Sequence, residues 1–168
     1  MKRNSFFNQV LLSLVLLVVN ICSSTSVKAQ SSYTFAKVDV FRAIVNGQDL
    51  TKYSIDNNHC FLFYKQGTDV IFENNIVKAD SKSYGRISNI EVKRVKEKRE
   101  NVFPYSTVYH FKWYWKNTYD NEAGLADVFL KAVDSNEGTT VRIAIIGDDL
   151  ENILEYGGIL KGSLDSIK

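Results

Sequence analysis

Cysteine is scarce in this chain: Cys22 and Cys60 are the only two in 168 residues. The first 29 residues have the layout of a secretory signal. "MKRNSFF" supplies Lys2 and Arg3, "VLLSLVLLVV" (10–19) is an apolar stretch of signal length, and "SSTSVKAQ" puts Val27 and Ala29 at the −3 and −1 places. Cleavage after Ala29 leaves Cys60 alone, so an intrachain disulfide is excluded and the fold must stand on its core. Long hydrophobic runs are missing too. Asn8, Gln9 and Asn20 interrupt the leader well short of the roughly 20 apolar residues that cross a bilayer. Ile21 before Cys22 is too large for a lipoprotein cleavage site, which argues against lipidation.

Histidine is equally sparse. His59 and His110 fall on separate strand candidates with no HxH or HExxH spacing, which gives a histidine metal site poor support. No Gly-rich phosphate loop, Gly-x-Ser-x-Gly elbow or Cys-x-x-Cys occurs. Nor is there an Asn-x-Ser/Thr sequon, an absence that weakly favours a bacterial export route. A large basic excess is lacking as well. The leader carries three of the 21 basic residues (Lys2, Arg3, Lys28) and none of the 19 acidic ones, so the remaining 139 residues have a net charge of −1. A nucleic-acid partner thereby loses its main support. The expected localisation is secreted or periplasmic, with residues 1–29 as signal peptide and 30–168 as a single domain.

What is present is period-two alternation, the mark of half-buried strands. In "FAKVDVFRAIV" Ala36, Val38 and Val40 alternate with Lys37, Asp39 and Phe41, and "NGQD" follows as a turn. A helix through Val38, Phe41 and Ile44 is the competing reading of that stretch. "HCFLFYK", "QGT" and "DVIFEN" read as a hairpin turning at Gly67, with Cys60 as a small buried hydrophobe. "GRISNIEVKRVKEKRE" thins into mixed charge, as a solvated edge strand or hairpin tip does. After the single proline, Pro104, "STVYHFKWYWKN", "GLADVFLKAV" and "TTVRIAIIG" predict a three-strand meander. "DDLENILEYGG" predicts a short C-terminal helix: Asp148 or Asp149 as cap, Leu150, Ile153 and Leu154 on one face, Gly157 as terminator. The expected class is all-β and mainly antiparallel, a barrel or sandwich.

One strand concentrates the aromatic side chains. Tyr109, Phe111, Trp113 and Trp115 share one face, while Val108, His110, Lys112, Tyr114 and Lys116 share a polar, wet one. The aromatic face reads in three ways: plain core, the wall of an interior ligand site, or an exposed stacking platform. Two indoles on one short face each need an acceptor for the N–H and are hard to pack densely, a difficulty that a cavity relieves. Asp120 and Glu122 in one loop and Asp148, Asp149 and Glu151 in another are the candidate calcium ligands or acid–base carboxylates, although neither loop matches an EF-hand.

A leader, a first strand, an early "NGQDLT", a run of antiparallel strands and a late meander near "LEYGGIL" together resemble the small lipocalin-like proteins secreted by bacteria. The resemblance implies a barrel of about eight strands and a non-catalytic role. The Gly-x-Trp of the first lipocalin strand is absent here, both tryptophans lying late in the chain. The sequence therefore leads to an exported, cofactor-free domain that binds an apolar or amphipathic small molecule through Tyr109, Phe111, Trp113 and Trp115. The alternatives are a surface interaction or adhesion module and a hydrolase using loop carboxylates.

Overall fold

A computed structural model describes residues 32–97, 105–148, 150 and 152–167. The leader at 1–29, Pro104, Asp149 and Glu151 lie outside the described residues. Nine strands run in chain order: β1 (Ser32–Val45), β2 (Gln48–Asp49), β3 (His59–Gln66), β4 (Asp69–Ile76), β5 (Ser81–Lys96), β6 (Tyr105–Asn117), β7 (Ala123–Ser135), β8 (Gly138–Gly147) and β9 (Ile153–Gly162). A six-residue helix, α1 (Thr51–Asp56), interrupts them between β2 and β3. All pairings are antiparallel, and neighbours follow chain order from β3 to β9.

β1 closes the sheet by pairing on both sides, with β3 through Ser32–Asp39 and with β9 through Ala36–Val45. The result is a closed eight-strand barrel, with the two-residue β2 as an extra strand on β1. That settles barrel over sandwich and is consistent with lipocalin-like barrels in general. A bulge between Val40 and Arg42 lets β1 bend between its two partners. Phe41, the residue in the bulge, turns outward. The turn after β1 is where the sequence puts it: Asn46 and Gly47 both take positive φ (49° and 80°), as a two-residue hairpin turn requires.

The interior follows the alternation. Ala36, Val38 and Val40 on β1, Phe61 and Phe63 on β3, Phe72 on β4, Tyr109, Phe111 and Trp113 on β6, and Val128 and Leu130 on β7 all point inward and are buried. The outer wall carries ion pairs at mid-strand, Lys37 and Lys161 on Asp39 and Lys112 on Asp127. The outer wall thus carries paired charges while the interior is apolar. Among the described residues no helix is long and apolar enough to cross a membrane.

One expected element is misplaced. The stretch expected to be helical at 148–157 contributes instead to β9, whose Tyr156 faces the core. Leu150, Ile153 and Leu154 have helical spacing, but pairing of Leu154–Ile159 with both β8 and β1 overrides it. Gly157 and Gly158 serve not as a helix stop but as the floor of the seam. A Cβ on Gly158 would lie 2.4 Å from Val38 Cγ1 and 2.8 Å from the Asp39 carbonyl oxygen. The short C-terminal helix is a single 3-10 turn farther on, Asp165–Ile167, where Leu164 and Ile167 are buried against the core. The three-strand meander expected over β6 to β8 accordingly continues into β9, as part of the run from β3 to β9.

Candidate functional site

The four aromatic side chains of β6 occupy successive levels of the barrel interior. Phe111 is fully buried, meeting Phe72 edge-on at 5.6 Å and Phe63 at 6.4 Å between ring centroids. Trp113 packs on Phe72 at 5.0 Å and its indole N–H donates to the Phe72 backbone carbonyl at 3.0 Å. That bond answers one of the two indole N–H groups, so this level needs no ligand to be satisfied. Phe61 stacks on Phe72 at 5.3 Å, completing a ring cluster drawn from β3, β4 and β6. Tyr109 is buried nearer the opposite end, where the final 3-10 turn packs. Trp115 differs from the other three in being half-buried. It leans on Trp113 with centroids 6.4 Å apart and covers Gly124 of β7, where an added Cβ would lie 2.7 Å from the indole. A glycine at that register gives the indole the room to lie flat.

Trp115 belongs to the end of the barrel that carries α1. The inward positions at this level include small residues, Ala43 on β1, Gly124 and Ala126 on β7 and Ser83 on β5, together with a polar group. His59 is the centre of that group. The Ser54 hydroxyl of α1 donates to Nδ1 at 3.1 Å, and Nε2–H donates to the Asn74 side-chain oxygen. The Asn74 amide in turn hydrogen-bonds the Tyr156 phenol. The rings of Tyr156 and Phe61 pack against the imidazole at 5.0 and 5.2 Å. Burial holds His59 below its ordinary pKa against the weaker opposing effect of Asn74, and burial pushes Tyr156 up to about 12. Both groups are therefore neutral at pH 7, and the relay is a set of neutral hydrogen bonds. α1 packs against β1 and β3, so it covers that side of the mouth and not the side where Trp115 and Gly124 lie.

Sequence reasoning located the aromatic strand and missed this relay. Its members come from α1, β3, β4 and β9, and only parity could have placed them, by counting inward from Phe61 to His59 and from Phe72 to Asn74. The polar face of β6 is outside as expected. There His110 Nε2 and Lys112 Nζ meet the two oxygens of Asp127 at 2.8 and 2.6 Å, and His110 stacks on Phe129 at 4.4 Å. Cys60 is buried, free, and raised in pKa chiefly by burial.

Of the candidate loop carboxylates, Asp149 and Glu151 lie outside the described residues, and Asp120 is engaged locally. Asp120 accepts from the Asn117 side chain at 3.3 Å and from the Glu122 backbone N–H at 2.8 Å, a local turn-capping role. Among the described residues no group of three or more His, Cys, Asp and Glu side chains is placed to hold a metal ion. Ser54 and His59 are adjacent, but Ser54 is buried and its hydroxyl is spent on the imidazole, so it presents no nucleophile to a substrate. The arrangement is a buried apolar and aromatic interior, with one partly buried indole and a few neutral polar groups at its α1 end. Set against protein-family models, curated proteins and solved structures, the chain matches none, so what it does must be argued from this geometry.

Proposed function

We propose that this chain is an exported, non-catalytic barrel that binds a small apolar or amphipathic molecule at the α1 end of its interior. The observation that carries the reading is Trp115: an inward-facing indole only partly buried at the α1 end, above the buried Trp113, Phe111 and Tyr109 of the same strand. Trp115 is then the contact residue, Trp113 the floor beneath it, and Phe111 and Tyr109 the rigid packing that holds the floor in place. The apolar body of the ligand lies along the Trp115 indole and Gly124. A polar head reaches Asn117 or the Asn74–Tyr156 pair, as orienting groups do in small-molecule sites.

The test is tryptophan emission of the chain lacking residues 1–29, titrated with a medium-chain fatty acid and with a neutral sugar, in the Trp113→Phe and Trp115→Phe variants. A saturable change with the fatty acid that persists in Trp113→Phe and vanishes in Trp115→Phe is the expected result. Emission indifferent to the fatty acid in both variants would return the aromatic strand to plain core. A second reading, a protein-interaction module, is favoured by one observation. From Ile87 to Lys96 strand β5 pairs with β6 alone, since β4 pairs only as far as Arg86.

A further inference from the structure

On the outer wall, away from the mouth, β4 carries a buried carboxylate that has no ion-pair partner among the described residues. Glu73 is only 6% exposed although it points away from the barrel interior, its neighbours Phe72 and Asn74 pointing in. The Tyr64 hydroxyl donates to its Oε2 at 3.3 Å and the Asn75 amide to its Oε1 at 2.8 Å. Among the described residues no Lys, Arg or His nitrogen forms an ion pair with it, whereas the carboxylates of Asp39, Glu97 and Asp127 all have cationic partners. A buried carboxylate held only by a phenol and an amide is costly, and buried charges are ordinarily paired or bound to a cation.

Two tyrosines frame it. Tyr64 on β3 reaches it diagonally, and Tyr84 on β5 is its register partner and is 38% exposed. Lys82 lies over the Tyr84 ring with its ammonium 5.9 Å from the centroid, so a cation already occupies the aromatic face without reaching the carboxylate. A carboxylate backed by phenol rings is the chemistry that recognises organic ammonium groups, through the ring quadrupole and the charge together. A hard metal ion needs several more oxygens than this site has.

We propose that Glu73, Tyr64 and Tyr84 form a binding site for an organic ammonium group, either a free alkylated amine or the side-chain ammonium of a lysine on another protein. Glu73 supplies the charge, Tyr64 holds the carboxylate in place, and Tyr84 is the ring that the ammonium displaces Lys82 to reach.

The experiment is an NMR titration of the chain lacking residues 1–29 with tetramethylammonium chloride and separately with n-butylammonium chloride, following the Asn75 side-chain amide and the Tyr64 and Tyr84 ring protons. Sodium chloride at matched ionic strength is the control. Saturable shifts with either ammonium, lost in Glu73→Gln and weakened roughly tenfold in Tyr84→Leu, are expected. Preference for the tetramethyl form indicates a small alkylated ligand, and preference for the butyl form a lysine side chain. The Tyr84→Leu variant changes an exposed side chain and keeps the test valid if Glu73→Gln fails to fold. Equal shifts with sodium chloride, shifts that survive both variants, or no saturable shift in the unaltered chain would each overturn the proposal.

Discussion

Phe72 sits where β3, β4 and β6 meet, with Phe61, Phe63, Phe111 and Trp113 all within 5.6 Å between ring centroids. Truncating it removes one partner from four ring contacts at once in a place that cannot collapse. Phe72→Ala is expected to lower unfolding free energy by about 3–5 kcal/mol, measured by urea denaturation. His59 makes a different prediction. Its folded pKa is depressed by burial, so between the unfolded value of 6.5 and the lower folded value the unfolded chain binds more protons. Stability contributed by the neutral imidazole is therefore complete above 6.5 and lost as pH falls through the folded pKa. The urea midpoint should drop between pH 7 and pH 5 in the unaltered chain and drop less in His59→Gln. Asp39 and Asp127, both held below the ordinary carboxylate value by lysine partners, lose their contributions only below about 3.8, outside that window. At this scale the aromatic face of β6 was legible because one strand carries it whole. Glu73 and His59 were not, because each acquires its meaning from residues on other strands.

β9 is the element that sequence periodicity misjudged. Leu150, Ile153 and Leu154 fit a helical face over one turn, and only the pairing of β9 with β1, distant in sequence, decides otherwise. Glycine at 158 is the local trace of that decision, since the two strands approach too closely there for any side chain. Gly158→Val is expected to destabilise the fold by about 1–3 kcal/mol, with hydrogen exchange accelerated first along β1 and β9. The charged end of β5 was expected to be a solvated edge strand or hairpin tip, and from Ile87 to Lys96 it pairs with β6 alone, with Glu91, Lys93, Arg94 and Lys96 all exposed. Lys93 pairs with Glu91 along the strand, and Asn89 takes a left-handed φ of 51° in a bulge, two devices that keep an edge from recruiting another chain. Replacing Lys93 and Lys96 with isoleucine should produce concentration-dependent association, visible by light scattering after size exclusion.

Taken whole, the molecule encloses its two tryptophans in unequal degrees, and neutral quenching reads this directly. Trp113, bonded to the Phe72 carbonyl, should resist acrylamide, while Trp115 should be quenched; in Trp115→Phe the remaining emission should be blue-shifted and uniformly protected. That the fold is all-β and antiparallel was legible in the run of alternating strands; whether it was a barrel or a sandwich was not. That it closes was not, because closure depends on β1 serving two neighbours across a single bulge, and nothing in "FAKVDVFRAIV" announces a second partner.

That shared strand also sets a timetable. Ala36 pairs with Gly162 and Val45 with Leu154, and the Asn46 and Asn152 side chains meet across 106 positions. During synthesis the first strand waits, one flank unmatched, until β9 has left the ribosome. No nascent chain that stops short of β9 can shut the wall, so the polypeptide stays threadable until that strand emerges.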